Sequence, residues 1–410
     1  MEHEIESSPE EKRKLKVSVF LVVAICVMSI ITALVILEGG LRIYYYAGNN
    51  GFLNLHPMRS TLTYYENDSF GHALSPNQSG WFVPESHEYQ TWVETNSQGW
   101  PDREHTREKP KETYRILIVG DSFVENLQVP FNDRFFIQLE DKLKTSSEIT
   151  LPEGKSTVEV IAMGRGNTGT AQQYLFLRDY GLSYKPDLVL HMFLTANDVK
   201  NNSPILQNDP YLPYFNLKDS NLTLVPQSKR STRPLSQIKD IVKKSRIVEL
   251  ILRARQHYRE QNSSSDYPTE FHIYDTTLTK EYESAWDTTQ ELIKETRKLS
   301  EENSAQYKLV VLANNEQVHS EVWNGLLETY PAMKSAHLDK DNPDKLLHVF
   351  CVEQDVDCSF MLPTFREFLS RNQEAITHNH YEGHWNETGT NLAAEFLYER
   401  VLEVFNNPIN

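Results

Sequence analysis

Short apolar runs alternate with amphipathic segments along most of the chain from residue 114 onwards. The runs have the length of buried strands, and the amphipathic segments repeat apolar residues at helical spacing. This alternation is typical of an α/β domain with a parallel sheet. The predicted strands are Ile116–Val119, Thr157–Met163, Leu188–Leu194, Tyr307–Ala313 and Asp357–Leu362, and the predicted helices are Phe135–Leu143, Ala171–Tyr180, Thr279–Ser300, Lys345–Glu353 and Leu392–Phe405.

The first predicted strand ends in a turn that carries a candidate nucleophile. Gly120 allows a sharp turn into a following helix, and Asp121 and Ser122 come next. Ser122 would then lie at the carboxyl end of a strand, where ligands of open α/β sheets bind, and at a helix amino end that favours developing negative charge. On its own the tripeptide more often marks an ordinary turn in which Ser122 caps the helix.

Two further strand ends carry small or polar residues. The second strand runs into the loop Gly164–Thr170, and the third stops at Thr195–Asp198. The carboxyl ends of parallel strands lie at one edge of a sheet, so the three ends can converge on one site. The glycines of the first loop do not match a phosphate-binding fingerprint.

The amino terminus predicts a membrane span. Residues 17–37 contain no charge, and about 21 residues of helix approach the thickness of a bilayer core. The run is longer than the apolar region of a secretory signal, although a cleaved signal remains the alternative. Basic residues precede the span and only Arg42 lies close behind it, so residues 1–16 should be cytoplasmic and the rest should lie outside the cytoplasm.

Two regions depart from the strand and helix alternation. Residues 38–113 are rich in Pro, Asn, Ser, Gly and Tyr and are interpreted as an irregular lead-in with short strands. Within it, Asn96–Arg103 is interpreted as a surface loop, with a cover over the sheet edge as the alternative. Residues 201–266 are interpreted as an insertion that contains a basic amphipathic helix, Leu235–Arg259. That helix could lie on a membrane, but a solvated face is the simpler interpretation.

Composition narrows the choice of partners and compartments. The chain of 410 residues has a formal net charge of −16, which argues against nucleic acid as a partner. A neutral or cationic partner fits better. Cys26 lies in the apolar run, and Cys351 and Cys358 could pair in an oxidising compartment, although their spacing alone does not decide the pairing.

Histidines cluster near the carboxyl terminus. His378, His380 and His384 follow the spacing H-x-H-x-x-x-H, which raises the possibility of a metal site. The spacing is not the helical H-E-x-x-H pattern, and no cysteine or aspartate cluster accompanies it. We therefore expect no metal.

Three blocks together resemble the SGNH hydrolase superfamily of GDSL-type lipases and acylhydrolases. Gly120–Phe123 matches the block that carries the family's nucleophilic serine, and Thr195–Asp198 matches the block whose asparagine donates to the oxyanion. Glu382–Asn386, with Gly389, matches the block that carries the base. The resemblance extends from about residue 96 to the end and is strongest to bacterial members anchored in the inner membrane by an amino-terminal span.

The resemblance implies a three-layer α/β/α, flavodoxin-like domain over residues 114–410, with a parallel sheet of about five strands behind a single-pass span. It assigns Ser122 as the nucleophile, His384 as the base and Asn197 as an oxyanion donor. At the family's second block this chain has Ala162 and Asn167 where asparagine and glycine are usual.

These and the remaining departures from the family pattern leave the backbone oxyanion donor and the triad acid open. Asparagine tolerates left-handed backbone, so the amide of Asn167 can replace that of glycine, with Gly166 as the neighbouring candidate. Thr195 replaces a glycine and could narrow the pocket. The acid of the common last block falls on Tyr381, whereas in members with Asp-Gly-His-Trp it falls on Glu382. Glu382 is favoured as the triad acid, and a Ser–His dyad helped by a backbone carbonyl is the alternative.

The resemblance, with the predicted orientation, implies a serine esterase that acts on acyl groups, O-acetyl groups above all, of an envelope or extracellular glycan or a small molecule. The scheme requires no metal, nucleotide or other cofactor. A glycan O-acyltransferase would use the same residues, and a catalytically inactive binding module is the alternative suggested by the departures. The sequence leaves the oligomeric state open.

Overall fold

The computed structural model describes residues 9–50, 60–84, 86, 88–147, 149–228, 245–248, 250–251, 254 and 267–406. These residues form two compact units. The first holds the amino-terminal helix and the described residues between 245 and 254. The second holds residues 60–228 and 267–406, and it contains the sheet and all the predicted site residues.

The first unit is built on a long helix, α1, Pro9–Asn50. Its apolar stretch Phe20–Tyr44 contains an 18-residue window with a mean hydropathy of 3.1, and no residue of that window is buried. A helix of 25 residues is about 37 Å long, enough to cross a bilayer core. The predicted apolar helix is therefore confirmed. A signal sequence shares these properties, so anchoring in a membrane stays a prediction.

Part of the insertion lies beside α1. The carboxylate of Glu38 accepts hydrogen bonds from the Ser245 hydroxyl at 2.8 Å and from the amides of Arg246 and Ile247 at 3.0 and 3.1 Å. These amides open a short helical segment, so Glu38 satisfies backbone donors that have no partner within that helix. Most of the basic helix predicted at Leu235–Arg259 lies outside the described residues.

The second unit is an α/β domain around a five-stranded parallel sheet. The strands are β5 Thr113–Gly120, β6 Thr157–Gly164, β7 Leu188–Phe193, β10 Gln306–Val311 and β11 Cys358–Phe360. The spatial order is β6-β5-β7-β10-β11, and each neighbouring pair is parallel. In order of occurrence this is 2-1-3-4-5, the flavodoxin-like arrangement, whose chain reversal opens a crevice between the first and third strands. The predicted fold class and all five predicted strands are confirmed.

Alternate residues of each strand face two separate apolar cores. Ile116 and Ile118 belong to one core, and Leu117 and Val119 belong to the other. Helices flank both faces, as the uninterrupted apolar runs predict. The helices of the first face are α3 Phe135–Thr145, α12 Leu362–Arg371 and α13 Glu387–Asn406, and those of the second are α4 Thr170–Asp179, α7 Lys280–Glu302 and α11 Asn342–Glu353.

Shorter helices complete this unit at the loops between the strands and the long helices. They are α2 Ser122–Glu125, α5 Asp198–Asn201, α6 Pro204–Gln207, α8 Asn315–Val318, α9 Ser320–Thr329 and α10 Pro331–Ser335. Helices α2 and α5 directly follow the first and third strands of the sheet. They therefore carry the residues that the sequence analysis selected at those strand ends.

Among the residues that the structure describes, three antiparallel hairpins lie outside the sheet. Two of them lie in the lead-in, and the third lies in the region interpreted as an insertion. The strands are β1 Tyr64–Asn67 with β2 Gly71–Leu74, β3 Ser79–Phe82 with β4 Thr91–Glu94, and β8 Tyr214–Lys218 with β9 Asn221–Val225. The third hairpin was not predicted, and it belongs to the same compact unit as the sheet.

The turn-rich segment Asn96–Arg103 is not a surface loop, so that interpretation was wrong. Trp100 is 4% exposed and packs on Phe70 and Phe176. The buried carboxylate of Asp102 accepts the amide of Ala162 at 3.0 Å, which ties the segment to the edge strand β6. Burial of the indole and completion of the edge hydrogen bond outweigh the loop character of the surrounding residues.

Candidate active site

Ser122 lies where β5 turns into α2. A side chain at Gly120 would collide with Val124, so glycine permits the close turn. The carboxylate of Asp121 accepts the amide of Phe123 at 2.9 Å and caps the helix. Because Asp121 is the cap, the hydroxyl of Ser122 is not needed for that purpose, contrary to the alternative interpretation of the turn.

The imidazole of His384 meets this hydroxyl. Nε2 of His384 lies 2.8 Å from Oγ of Ser122, although the two residues are 262 positions apart. The His384 ring also lies 5.0 Å from the Phe123 ring, centroid to centroid. The described structure therefore joins the two residues expected to act as nucleophile and base.

A tight turn before α13 presents His384 to the cleft. The amide of Asn379 donates to the carbonyl of His384 at 2.7 Å, and His378 forms an isolated antiparallel bridge with Trp385. Gly383 adopts φ of +69°, a conformation that glycine takes at little cost. The fully buried Trp385 anchors the turn by packing its indole on Phe123, Phe135 and Phe365.

Burial keeps His384 in the neutral form. Desolvation lowers its pKa to about 4, while the charge of Glu125 and the main-chain carbonyl of Glu382 act in the opposite direction. Among the described residues Nδ1 has no partner that meets hydrogen-bond geometry, so the Glu382 carbonyl faces the ring without closing a full hydrogen bond. A neutral imidazole can accept a proton at neutral pH.

The Glu382 side chain lines the same cavity, but it hydrogen-bonds to Ser86 rather than to His384. Its carboxylate accepts the amide of Ser86 at 3.4 Å. In the described part of the chain, no hydrogen bond joins this carboxylate to His384. The structure thus brings Ser122 and His384 together, and it brings Glu382 near them through its main chain.

Asn197 projects from the end of β7 beside the nucleophile turn. Its Nδ2 donates to the buried carboxylate of Asp121 at 2.9 Å, which leaves a second N–H on the same amide. Burial raises the pKa of Asp121 to about 6, against the effect of the hydrogen bonds it accepts from Phe123 and Asn197. Asp121 therefore holds both the turn of Ser122 and the carboxamide of Asn197.

The loop after β6 supplies a backbone donor. Asn167 adopts φ of +62°, and its side chain accepts from Gln207 at 2.9 Å. Within the described residues, the amides of Ser122 and Asn167 have no acceptor. The Gly166 amide, the other candidate, donates to the carboxylate of Glu125 at 2.8 Å and is already occupied.

A buried ion pair fixes this loop. The guanidinium of Arg165 pairs with the Glu125 carboxylate, donates to the carbonyl of His72 at 3.2 Å and lies over the ring of Tyr64. Glu125 thereby engages Arg165 and Gly166 at once. The loop conformation that exposes the Asn167 amide depends on these contacts.

Thr195 lies behind a residue that lines the cleft. Thr195 is fully buried, and its hydroxyl accepts from Nδ2 of Asn314 at 2.9 Å. Asn314 lines the cavity over Ser122, whereas Thr195 is not part of the lining. Narrowing of the pocket by Thr195 stays a prediction.

A cavity of about 580 Å³ lies over Ser122. The strand ends and the histidine turn line it, as the convergence of strand ends predicts. The lead-in contributes aromatic side chains to the wall, namely Tyr64, Phe82 and Tyr89. The charged residues of the lining are Glu125, Arg165, Lys200, Glu270, Glu316 and Glu382.

The contribution of the lead-in to the cleft was not predicted from the sequence. No periodic pattern marks residues 60–94, and their contacts with the histidine turn span nearly 300 positions. The available signal was the concentration of aromatic residues in a region otherwise rich in turn formers. Such residues need a partner surface, and here that surface is the cleft.

The histidines clustered in the sequence do not share a site: His378 and His384 contact different partners. His384 contacts Ser122, whereas the buried His378 lies between Thr377 and the carbonyl of Ala313. Burial lowers the pKa of His378 to about 3. In the part of the chain that the structure describes, no group of three or more His, Cys, Asp or Glu side chains is arranged to hold a metal ion.

Comparisons with known proteins identify similarity in fold. No model of a protein family matches the chain, and no curated protein matches its sequence. Among solved structures, the acetyl xylan esterase AlAXEase is similar at 12% identity and a TM-score of 0.38, covering 70% of this chain and 99% of that one.

Two further solved structures are similar to this chain at comparable identity and TM-score. A catalytic mutant of Axe2, an acetylxylan esterase from Geobacillus stearothermophilus, has 11% identity and a TM-score of 0.38, covering 72% of this chain and 96% of that one. A lipase/acylhydrolase from Enterococcus faecalis has 11% identity and a TM-score of 0.35, covering 72% and 99%. With TM-scores below 0.5, these similarities are distant and assign no chemistry to this chain.

Proposed function

We propose that this protein is a membrane-anchored serine esterase that hydrolyses O-acyl esters through an acyl-serine intermediate. The observation that carries the proposal is the 2.8 Å contact between Oγ of Ser122 and a neutral His384 at the carboxyl edge of the sheet. A hydroxyl becomes an effective nucleophile when an adjacent base removes its proton during attack. This pair meets that requirement.

The reaction uses both residues twice. Oγ of Ser122 bonds to the ester carbonyl carbon while its proton passes to Nε2 of His384, and the carbonyl electron pair moves to oxygen. Collapse breaks the bond to the alcohol, which leaves with the proton from His384. Water then attacks the acyl-serine by the same route, which releases the carboxylic acid and restores the hydroxyl.

Three N–H groups are available to the oxyanion. They are the amides of Ser122 and Asn167 and the second Nδ2 hydrogen of Asn197. Donors held in place before the reaction stabilise charge that develops in the transition state, at about 3 kcal/mol each. Gly166 is not in this set because Glu125 already accepts its amide.

Glu382 is the residue that we assign to the orientation of His384. Its main-chain carbonyl faces the imidazole, and its carboxylate lines the same cavity. Glu382 can orient the imidazole through its main-chain carbonyl or through its carboxylate, and replacement of Glu382 by alanine distinguishes these two roles. A main-chain role predicts that Glu382→Ala keeps most of its activity, whereas a triad acid predicts a loss of several orders of magnitude.

Polar and aromatic lining supports an O-acetylated glycan or a related small ester as substrate. The cavity has the volume of a small-ligand site and carries Tyr64, Phe82 and Tyr89 beside several carboxylates. Its four glutamates outnumber Arg165 and Lys200. The alcohol part of the ester is therefore expected to be neutral or cationic rather than anionic.

Placement outside the cytoplasm has two supports. Basic residues precede the apolar helix, as in spans whose amino terminus is cytoplasmic. Cys351 and Cys358 form a disulfide, a bond that persists in oxidising compartments. A reporter fused to the carboxyl terminus tests this orientation, and a cytoplasmic signal would contradict it.

The activity test uses the full chain in detergent with a short-chain chromogenic acetyl ester. We expect turnover by the wild type, covalent labelling by a fluorophosphonate probe, and loss of both in Ser122→Ala. Absence of turnover and of labelling in the wild type would refute the esterase. Addition of a glycan acceptor distinguishes a transferase, which would form acetyl-glycan in preference to free acetate.

A further inference from the structure

A carboxylate from the lead-in binds the turn that carries His384. Glu88 accepts hydrogen bonds from three consecutive amides, those of His380, Tyr381 and Glu382. The Tyr381 amide lies 2.9 Å from Oε2, and the Glu382 amide lies 3.3 Å from the same oxygen. Successive amides that converge in this way form an anion-binding concavity, and here the anion belongs to the protein.

The segment that bears Glu88 is itself attached to the cleft. The amide of Glu88 donates to Oγ of Ser86 at 3.3 Å, and the amide of Ser86 donates to the Glu382 carboxylate at 3.4 Å. The neighbouring Tyr89 lines the cavity, and its ring lies 6.1 Å from that of Phe82 on β3. Hydrogen bonds therefore join the two loops in both directions across nearly 300 positions: Glu88 accepts the Glu382 amide, and the Ser86 amide donates to the Glu382 carboxylate.

The imidazole depends on its main chain for orientation. Nδ1 of His384 has no hydrogen-bond partner among the described residues, so no side chain fixes the ring from behind. The backbone of residues 380–383 sets both the Cα position of His384 and the approach of the Glu382 carbonyl. His378 and Trp385 pair at the buried base of the turn, and the amides bound by Glu88 lie at its tip.

We propose that Glu88 is a positioning residue for His384, which holds the turn 380–382 so that Nε2 stays within reach of the Ser122 hydroxyl. The inference rests on the proposed esterase function and extends it by naming the residue that holds the main chain through which Glu382 faces the imidazole. Misplacement of a base by about 1 Å can cost up to about 100-fold in rate without a change in substrate binding.

The test compares Glu88→Ala and Glu88→Gln with a matched control, Glu94→Gln, in the full chain. Glu94 is exposed on β4 of the same hairpin and accepts from Trp92. Glu88→Ala is expected to lower kcat and the rate of fluorophosphonate labelling by about 10- to 100-fold, with KM nearly constant. Glu88→Gln keeps an acceptor oxygen and should recover part of the rate. Glu94→Gln should resemble the wild type.

Hydrogen exchange of the peptide 378–386 gives a readout that does not depend on activity. Loss of the acceptor should increase deuterium uptake there in Glu88→Ala and leave the helix α3 unchanged. Unchanged uptake, or unchanged kcat in an active enzyme, would overturn the role of Glu88 while the esterase stands. A fall in kcat that merely follows a general loss of folded protein, seen as raised uptake throughout the sheet, would also overturn it. A wild type without turnover would refute the esterase itself and with it the catalytic role of Glu88.

Discussion

One side of the cleft consists of strand ends, and the other consists of the lead-in and the turn before α13. Ser122 and Asn197 continue directly from β5 and β7, whose buried residues are packed on both faces. The second side is held by hydrogen bonds across nearly 300 positions, such as that between Ser86 and Glu382. The nucleophile is thus fixed by the packed sheet, whereas the turn of its base is anchored by Trp385 and held at its tip by polar contacts between loops.

This difference predicts that the two sides respond differently to substitution. On the strand side, a change at a functional atom should remove chemistry and leave the fold intact, because the sheet does not depend on it. On the loop side, a change should move the base by small amounts and cause graded losses. The following experiments test that contrast in order of expected effect.

Removal of the nucleophile should have the largest effect. We expect Ser122→Ala to lower kcat/KM for a chromogenic acetyl ester by at least about 10⁴-fold, because the acyl intermediate cannot form. Circular dichroism and the thermal midpoint should match the wild type, since Asp121 rather than Ser122 caps α2. Residual activity near the wild-type level would show that another group is the nucleophile.

Removal of the side-chain oxyanion donor should come second. Asn197→Ala is expected to lower kcat by about 100- to 1,000-fold with little change in KM, because the donor acts on charge that develops in the transition state. Asn167→Gly should cost far less, since the amide remains and glycine adopts the observed positive φ. Equal losses in the two variants would contradict the assignment of a backbone donor at Asn167.

The attachment of the lead-in to the sheet should be sensitive to pH. Burial alone would lower the pKa of His105, but its hydrogen bonds and charge interactions with Asp102 and Glu159 raise the pKa to about 9. Since the folded pKa exceeds the ordinary value of 6.5, the stabilisation is complete below pH 6.5 and is lost as pH rises through 9. The loss should be about 3 kcal/mol of unfolding free energy.

Urea unfolding between pH 6 and 10 measures this effect. In His105→Gln the pH dependence over that window should flatten, because glutamine does not titrate. If the unfolding free energy of the variant still fell with pH at the wild-type slope, the pH dependence would arise from groups other than His105.

The activity profile should show the smallest effect. Because burial lowers the pKa of His384 to about 4, the base stays neutral in mildly acidic solution, and activity should fall only near pH 4. At pH 5 an ordinary histidine would leave the enzyme about 30-fold less active than this one. The pH dependence of kcat/KM measures the pKa of His384. An acid limb near pH 6.5 would indicate that the cleft is more hydrated than the structure implies.

Sequence patterns determined the parts of this protein that depend on local physics. Short, mainly apolar runs predicted the five strands of the sheet, and a parallel sheet brings its strand ends to one edge. The strand-end pattern predicted Ser122 and the segment Thr195–Asp198, and the family resemblance assigned Asn197 within that segment. The long apolar helix at the amino terminus could also be predicted from the sequence, because the length and hydropathy of a segment are properties of consecutive residues.

Tertiary structure alone decided how the site is completed. The sequence could not show that Glu125 occupies the Gly166 amide, that the Glu382 side chain is directed to Ser86, or that Glu88 binds the histidine turn. Each of these contacts joins segments without periodic pattern, and its partner is chosen by the path of the whole chain. Hydrophobic spacing reports which face of an element is buried, whereas the pairing of polar groups depends on which loops the packed core brings within about 3 Å of each other.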